Sequence, residues 1–440
     1  MKLSPTEIYN NRKIFFIGST GFVGKVTLSM LLHRFPNVAR VYVTVRARSQ
    51  IESEARFWNS VITAPPFDPV RAVWGAAFED FIRDKVVVVN GDIGENNLGF
   101  SEQEAQAVAD DVDVVINSAG NVTFNPTLES ALRTNVVGTR NVIAFAKRMR
   151  RPALVHISTC FVAGNRSGPV WESDPVVGYF PRREELTDTQ FSVEQEIRDC
   201  EKLSVRVREE ARDAMMVARF REQARQRLIE EGRDPDDLDA IGVAVARERK
   251  VWMRTRLTDL GIERASFWGW PNVYTYTKSL GEQLVAAERA WCAQLCARAS
   301  SSRRLLIRFG LERRFYDHRA AHLYYAQRPN ADSGQRKLVL DITPVDQVAS
   351  VMLAVAGEAC VGEPRLVYLR PRAMSTERHA PHRQPGRPLQ AQAFSGKGNR
   401  LSFHQRDRRT HGSQAGDHLA LRKNFHADGQ RRGEKSFVAA

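Results

Sequence analysis

The chain has 440 residues, 42% of them hydrophobic, and a formal net charge of +14. That length is enough to bury at least one large core. The charge is unevenly placed, because residues 371–440 hold 14 Lys or Arg against 5 Asp or Glu. The first 370 residues are therefore close to neutral, which argues against a specific nucleic-acid-binding surface. No run reaches the ~18 apolar residues that a membrane span needs.

The N-terminal segment and the cysteines bear on the compartment. The segment MKLSPTEIYNNRKIFFIG lacks the charged start, apolar stretch and cleavage site of a signal peptide, so we expect a cytoplasmic protein. The five cysteines are an odd number and widely scattered, which predicts reduced thiols. Cys292 and Cys296 suit one helical face, but no second Cys or His pair completes a metal site, so no metal is expected.

Short apolar runs separated by helical patterns occupy residues 13–160. The predicted strands are 13–18, 41–46, 85–93, 113–120 and 153–159. Their unbroken apolar character is typical of parallel strands covered on both faces. The intervening helices are predicted near 23–35, ended by Pro36, and near 128–149. The alternation predicts an α/β fold, a Rossmann doubly wound parallel sheet built from right-handed βαβ units.

The remainder of the chain is less regular. Residues 184–257 are dense in Glu, Arg, Asp and Gln, and their apolar residues recur at helical spacing, which predicts a helical insertion with a solvated outer face. The recurring apolar residues are Met215, Met216, Phe220, Ala224 and Leu228. Another helix is predicted around 271–299. Residues 337–359 then predict a strand, a turn and a helix, and 365–369 a final strand.

A glycine-rich turn follows the first predicted strand and opens the first predicted helix. Its residues are Gly18, Ser19, Thr20, Gly21, Phe22, Val23 and Gly24. The first glycine permits a tight turn, the second lets the backbone approach a pyrophosphate, and the third allows close packing of helix on strand. Backbone N–H groups and the helix dipole then hold the diphosphate, so the motif predicts a dinucleotide cofactor.

The end of the second predicted strand bears on which dinucleotide binds. It reads Val45-Arg46-Ala47-Arg48, with no carboxylate before Glu52. NAD-specific sites place an acidic residue here, whereas a guanidinium pairs with a 2′-phosphate, so NADPH is predicted. The alternative that both arginines only cap the strand end stays open. Other residues expected beside the cofactor follow the third and fourth strands: Asp92, Ile93, Asn117, Ser118 and Ala119.

Tyr274-Thr-Tyr-Thr-Lys278 is the candidate proton-transfer motif. Spacing of i and i+4 places Tyr274 and Lys278 on one helical face. A nearby ammonium is expected to lower the tyrosine pKa into a useful range, and the same lysine can bind the nicotinamide ribose. Thr159, at the end of the fifth predicted strand, is the hydroxyl expected to orient a substrate carbonyl. Tyr276 lies two residues from Lys278 and is expected to point elsewhere.

These motifs together resemble the fatty acyl-CoA reductases, relatives of the thioester reductase domains of carboxylic acid reductases, within the extended short-chain dehydrogenase/reductases. The motifs are Gly18–Gly24, Asn135-Val-Val-Gly-Thr139, His156-Ile-Ser-Thr159, Tyr274–Lys278 and Pro344-Val-Asp-Gln-Val348. The similarity covers about 13–307 and 337–369. Tyr276 replaces the phenylalanine often seen there.

The resemblance implies NADPH-dependent reduction of a long-chain acyl thioester, to aldehyde or onward to primary alcohol. It implies that Tyr274 is the general acid, Lys278 its partner and ribose ligand, and Thr159 the carbonyl-orienting residue. Thr159 and Tyr274 are 115 residues apart, which exceeds the gap typical of extended sugar-nucleotide enzymes, and the helical insertion between them could shelter an acyl chain. The implied partners are acyl-CoA or an acyl carrier protein. A peripheral membrane contact and the oligomeric state stay open.

The predicted organisation has four parts. They are an NADP-binding Rossmann domain at 1–183, the helical insertion at 184–257, the catalytic helix with the remaining reductase domain at 258–369, and a disordered basic tail at 370–440. Residues 308–336 and 370–440 do not fit the family pattern. The hypothesis is that both are translated out of frame, which the other two frames of the coding DNA would test. A lineage-specific divergent loop with a basic tail is the alternative.

Two other functions compete with the leading one. The first is an extended reductase or epimerase acting on a sugar nucleotide or sterol, since such enzymes share every cofactor motif. The second is a catalytically impaired NADP-binding protein, because the substrate-binding part contains the aberrant 308–336 segment. Substrate turnover separates the first from an acyl-thioester reductase, and cofactor binding without turnover would favour the second.

Overall fold

A central sheet of seven parallel strands organises the computed structural model, which describes residues 7–166, 170, 174–288, 293–299, 301–303, 342–361 and 367–369. The strands in chain order are β1 Lys13–Ile17, β2 Arg40–Val45, β3 Val86–Asn90, β4 Val114–Asn117, β5 Ala153–Thr159, β6 Ala293–Ala299, β7 Ser301–Arg303, β8 Ile342–Pro344 and β9 Val367–Leu369. The order across the sheet is β3-β2-β1-β4-β5-β6-β9, and β7 pairs separately with β8. The order reverses between β1 and β4, where doubly wound folds form their ligand crevice.

Helices cover both faces of this sheet. They are α1 Phe22–Arg34, α2 Gln50–Phe57, α3 Asp68–Trp74, α4 Phe78–Lys85, α5 Glu102–Asp111, α6 Leu128–Ala131, α7 Gly138–Lys147, α8 Val193–Glu210, α9 Ala214–Glu230, α10 Leu238–Trp268, α11 Val273–Ala287 and α12 Val345–Val361. A π-helical turn, Leu132–Val137, joins α6 to α7. The Rossmann doubly wound prediction is confirmed.

The alternation within β1 explains the unbroken apolar runs. Ile14 and Phe16 pack into the core with α1 and α12, while Phe15 and Ile17 pack into the opposite core with α7 and α11. Because successive strand side chains point to opposite faces, a sheet covered twice needs an apolar residue at nearly every strand position. The same rule places Val114 in one core and Val115 in the other.

Residues 293–299 were expected to be helical and form a strand instead. The Ala-rich sequence AQLCARA has no β-branched residue, so local propensity favours a helix. In the sheet this segment pairs along its whole length with β5, from Ala153–Ala293 to Thr159–Ala299. Tertiary pairing therefore overrides propensity, and Cys296 lies in a strand rather than on a helix.

The helical insertion is present and extends further than predicted. Phe220, Ala224 and Leu228 are buried, as their spacing suggests, while Met215 is 82% exposed. The last helix, α10, runs through residue 257 and ends at Gly269, which adopts a left-handed φ of +98°. The predicted boundary at 257 therefore falls inside a helix, which continues past Gly261 until Gly269 takes the left-handed conformation of a C-cap.

Several predictions lie outside the described residues, including the aberrant segment 308–336, the tail 370–440 and the thiol of Cys292. Within the described ranges, Cys160, Cys200 and Cys360 form no disulfide bond, and no cluster of His, Cys, Asp and Glu is arranged to hold a metal ion. None of the helices in the described part of the chain combines the length and hydropathy needed to span a membrane.

Candidate active site

The glycine-rich turn brings backbone against backbone at the carboxyl end of β1. Gly18 has φ +94°, and a Cβ placed on it would lie 2.6 Å from the Ala119 nitrogen. A Cβ on Gly24 would lie 2.0 Å from the Gly18 oxygen. Gly21, whose hypothetical Cβ is 3.5 Å from the same oxygen, occupies the N-cap of α1. Packing therefore requires glycine at 18 and 24. A Cβ on Gly21 would make only an ordinary contact with the protein.

The start of α1 suits an anionic diphosphate. No side chain caps this helix, and its first turn contains no acidic residue. The N–H groups there thus remain available to an anion. Ser19 is fully buried, and its hydroxyl has no partner among the described residues. Thr20, Phe22 and Val23 are half-buried beside it. The residues present fit the diphosphate of a dinucleotide.

The ends of β2 and β3 meet at a charged corner that sequence spacing did not reveal. Asp92 Oδ2 accepts from Arg133 at 2.9 Å and lies 3.6 Å from the Arg46 guanidinium. Although burial raises the pKa of Asp92, the Gly94 N–H and the Arg133 guanidinium that donate to it, with Arg46 adding charge, hold it below its ordinary value. A carboxylate therefore does stand at this corner, supplied by β3 and not by β2.

Four further charged residues lie at this corner. Arg56 donates to the Arg46 carbonyl at 2.7 Å, and the pKa of Lys25 is lowered by burial and by the nearby charge of Arg56. The backbone N–H of Arg48 donates to Glu52 at 3.1 Å. Lys25 and Arg56 were not predicted, since their separations from Arg46 follow no motif. The corner therefore has more positive charge than the strand end alone suggests.

Ile93 was expected to border the adenine, and the structure places it in the core. It is 8% exposed, and a Cβ on Gly138 would lie 2.7 Å from its Cδ1. The close fit explains the glycine in the Asn135–Thr139 motif. The Ile93 carbonyl accepts from Asn141 at 2.7 Å, which ties the end of β3 to α7.

The end of β4 lies beside the glycine-rich turn Gly18–Gly24, which we call the glycine cradle. The Ser118 N–H donates to the Ile17 carbonyl at 2.9 Å, and the Ala119 N–H donates to Asn117 Oδ1 at 3.2 Å. Asn117 also contacts His156 Nδ1 at 3.2 Å. Burial, with the charge of Lys278, lowers the pKa of His156 well below its usual value, so this imidazole is neutral. Asn117, Ser118 and Ala119 thus lie at the carboxyl end of β4, next to Gly18.

Tyr274 and Thr159 form a hydroxyl pair at the carboxyl edge of the sheet. Their side chains are hydrogen-bonded to each other, with Thr159 4% exposed and Tyr274 partly buried. Thr159 Oγ1 accepts from the Phe161 N–H at 3.3 Å, which leaves its own hydrogen free to donate. The Tyr274 backbone is held by a hydrogen bond to Phe124. The structure thus brings together the two hydroxyls that the sequence analysis named as separate candidates.

The expected effect of Lys278 on Tyr274 differs from what the structure shows. Burial raises the pKa of Tyr274 to about 12, the Thr159 hydrogen bond opposes the rise, and Cys160 adds to it. Lys278 is 5% exposed and donates to the Ile157 carbonyl at 2.7 Å. Desolvation thus outweighs the favourable contacts, and the phenol is protonated at neutral pH. An acid, rather than a base, is what this tyrosine can supply.

A close helix crossing fixes α11 beside the π-helical turn. A Cβ on Gly281 would lie 2.3 Å from the Asn135 carbonyl, so only glycine permits this approach. Asn135 Nδ2 also donates to Thr277 at 2.9 Å, and Asn135 Oδ1 accepts from Asn121 at 2.8 Å. Sequence reasoning placed Asn135 in a family motif without this bridging role. Its hydrogen bond to Thr277 helps to hold α11, the helix of Tyr274 and Lys278, against the π-helical turn.

Comparison with known proteins identifies a family and several relatives. A family described as male sterility protein, an NAD-binding family, matches residues 17–301. Fatty acyl-CoA reductase 2, chloroplastic, from Arabidopsis thaliana is 29% identical over 290 residues, 65% of this chain and 41% of that protein. The alcohol-forming fatty acyl-CoA reductase of Simmondsia chinensis is 28% identical over 284 residues, 64% of this chain and 50% of its own.

A solved structure of the terminal R domain from the myxalamid PKS-NRPS pathway is 19% identical, with a TM-score of 0.47, covering 82% of this chain and 65% of that one. The chain spans about half the length of the curated relatives it matches. The family match extends from the end of β1 through the insertion and α11 to β7. The family match accordingly indicates a nicotinamide cofactor. This chain belongs to the male sterility protein family, which groups it with the fatty acyl-CoA reductases among the extended short-chain dehydrogenase/reductases.

Proposed function

We propose that this chain reduces an acyl thioester, with NADPH as the reductant. The observation that carries the proposal is the hydrogen-bonded hydroxyl pair of Thr159 and Tyr274, together with the high pKa of the phenol. Both groups lie at the carboxyl edge of the sheet, where doubly wound folds bind their ligands. A carbonyl oxygen that replaces the hydrogen bond between them can accept from both hydroxyls. That arrangement serves reduction, in which negative charge develops on the carbonyl oxygen.

The chemistry follows from the positions of these hydroxyls. When bound, the cofactor supplies the hydride to the carbonyl carbon. Thr159 orients the carbonyl oxygen and stabilises its developing charge, and Tyr274 gives that oxygen its proton. The carbon–sulfur bond of the resulting hemithioacetal then breaks, releasing a thiol and an aldehyde. Tyr274 recovers its proton from solvent, and a second hydride and proton would convert the aldehyde to a primary alcohol.

The choice of NADPH rests on the charged corner. Arg46 lies at the end of β2, where the adenosine ribose binds in doubly wound folds, and Arg56 and Lys25 add positive charge nearby. A 2′-phosphate would find guanidinium groups here that pair with it bidentately. Asp92 lies 3.6 Å from Arg46, so its carboxylate already neutralises part of the positive charge that would attract the 2′-phosphate. We accordingly propose a preference for NADPH that is moderate in size.

The substrate class rests on the relatives and the insertion. The names of the matched relatives include fatty acyl-CoA reductases from two plants. Helices α8 to α10 stand between β5 and α11 in the chain, and α8 packs against α11. An insertion in that position can line the path to the hydroxyl pair. The proposed substrate is a long-chain acyl thioester of CoA or of an acyl carrier protein.

Steady-state turnover of palmitoyl-CoA with NADPH tests the proposal, with a nucleotide sugar such as UDP-glucose as the competing substrate. We expect NADPH oxidation with the thioester only. Tyr274→Phe should lower kcat by about 10²- to 10⁴-fold, the usual worth of a general acid, and leave the NADPH Kd unchanged. Tyr42→Phe is the matched control, since it removes a phenol that donates to Asp111 at 2.7 Å, outside the candidate site.

Three results would contradict the assignment. Full activity of Tyr274→Phe would remove the phenol from the chemistry. Turnover of the nucleotide sugar without turnover of the thioester would move the enzyme to another substrate class. Tight NADPH binding without turnover of any carbonyl compound would leave a cofactor-binding protein without the reductase activity.

A further inference from the structure

A buried polar cluster joins the helical insertion to the rear of α11. It consists of Glu196 and Cys200 on α8, Arg264 on α10 and Tyr276 on α11, and we call it the insertion latch. Arg264 donates to both carboxylate oxygens of Glu196, at 2.7 and 2.6 Å. The Tyr276 hydroxyl donates to Glu196 as well, and its oxygen lies 3.1 Å from Cys200 Sγ. The Glu196 carboxylate thus connects α8, α10 and α11.

The burial of this carboxylate makes its partners obligatory. Glu196 is 3% exposed, and Tyr276 and Cys200 are both fully buried. A charged group at such depth is stable only when it is paired and hydrogen-bonded. Arg264 supplies the opposite charge, and Tyr276 supplies the remaining donor from a different element. The latch therefore favours one arrangement of α8, α10 and α11 over others that leave a charge unpaired.

The latch lies behind the groups proposed to do the chemistry. Tyr276 is two residues from both Tyr274 and Lys278, so at 100° per residue its side chain leaves α11 on the opposite side. Its ring packs on Trp270 at 5.4 Å between centroids. The Trp270 indole donates to the Val162 carbonyl at 2.8 Å, in the turn that begins immediately after Thr159. One set of contacts thus links α11, which carries Tyr274, to the turn that follows Thr159.

We propose that the insertion latch is a positioning device, in which Tyr276 sets the rotation of α11 and thereby the spacing of the Tyr274 and Thr159 hydroxyls. This inference rests on the proposed function for its kinetic consequence only. The insertion that is proposed to line the acyl path and the helix that carries the acid are coupled through Glu196. Tyr276 acts through Tyr274 and touches no substrate, so it is a positioning residue.

Removal of the Tyr276 hydroxyl distinguishes a positioning role from a role in stability alone. Tyr276→Phe leaves the Glu196–Arg264 pair intact and nearly preserves volume, so the variant should fold. Loss of the hydroxyl frees α11 to shift against α8. Because small misplacements of reacting groups are costly, kcat should fall by about 5- to 20-fold, with little change in the NADPH Kd. The melting temperature should fall by several degrees, because the buried Glu196 loses one hydrogen-bond donor. Tyr42→Phe again serves as the matched control.

Two measurements decide the proposal. In the first, Tyr276→Phe is combined with Tyr274→Phe and kcat is measured with palmitoyl-CoA and with an aliphatic aldehyde such as decanal. A positioning residue loses its effect once Tyr274 is already altered, so the double variant should match Tyr274→Phe. The proposal would be overturned if Tyr276→Phe lowered kcat by the same factor in wild type and in Tyr274→Phe, or if the loss disappeared when the assay temperature was reduced by the drop in melting temperature.

The second measurement needs no turnover. With 3-fluorotyrosine placed at position 274, the ¹⁹F resonance reports the surroundings of that ring directly. Tyr276→Phe should move or broaden the resonance, and Tyr42→Phe should leave it in place. An unchanged resonance in Tyr276→Phe would overturn the latch, even if the chain proved inactive on thioesters. Failure of the proposed function would instead appear as missing turnover in the wild type together with a shifted resonance in the variant.

Discussion

Replacement of Gly24 by alanine is the sharpest test of the cradle geometry. Its new Cβ would lie 2.0 Å from the Gly18 oxygen and 2.9 Å from the Ser19 Cα, both backbone atoms. Ordinary contact begins near 3.4 Å, so α1 must retreat from the turn by about 1.4 Å. Overpacking that side chains cannot relieve falls at the upper end of about 1–3 kcal/mol. We expect the free energy of unfolding to drop by about 3 kcal/mol and NADPH binding to be lost.

Two other glycines provide matched controls for that change. Gly21→Ala adds a Cβ 3.5 Å from the Gly18 oxygen, an ordinary contact, so stability should change by less than about 0.5 kcal/mol. Its NADPH affinity should fall, since the methyl group stands where the backbone approaches the diphosphate. Gly242→Ala in α10 meets no atom within 4 Å and should raise stability by up to ~1 kcal/mol.

Urea denaturation gives the three stabilities, and fluorescence titration gives the three NADPH dissociation constants. The reasoning predicts that Gly24→Ala loses stability and affinity together, that Gly21→Ala loses affinity alone, and that Gly242→Ala loses neither. A Gly24→Ala protein as stable as wild type would refute the account of the cradle. Unaltered NADPH affinity in Gly21→Ala would place the diphosphate elsewhere.

The remaining predictions concern charge and protonation. Arg46→Ala should weaken NADPH binding by roughly 10-fold, near the lower limit for a charge-assisted hydrogen bond because the side chain is 65% exposed and shares Asp92. NADH binding should change little, and equal losses measured by titration of both cofactors would reduce Arg46 to a supporting role. The pH profile of kcat/KM should show no basic limb from Tyr274 below about pH 10, because a phenol with a pKa of about 12 stays protonated there. A limb near neutral pH that disappears in Tyr274→Phe would mean that Lys278 lowers that pKa during turnover.

The features that sequence analysis predicted are those with local physical causes. A strand covered on both faces must be apolar throughout, so β1 and β4 were visible as runs. The glycines at 18 and 24 were predicted because close backbone contacts exclude every other residue. The i, i+4 spacing of Tyr274 and Lys278 likewise needs only helical geometry.

The features that it missed depend on tertiary placement. Residues 293–299 carry helix-favouring alanines, and only pairing with β5 makes them a strand. The partners of Glu196 lie 68 and 80 residues away in sequence, so the latch leaves no local pattern. Asp92 reaches Arg46 because β3 pairs with β2, not because of any spacing. Desolvation of the Tyr274 phenol is similarly a property of the packed site, which is why the sign of its pKa shift was predicted wrongly.

The central claim is that the hydroxyl pair serves reduction of a thioester, and the coupling of thiol release to NADPH oxidation tests it most directly. Free CoA and NADPH are followed together during turnover of palmitoyl-CoA, in wild type and in Tyr274→Phe. The account predicts that CoA appears only with NADPH present, with one NADPH consumed for each CoA if the aldehyde is released and two if the alcohol is. CoA release without NADPH oxidation would identify a hydrolase, and it would contradict the assignment of Thr159 and Tyr274 to reduction.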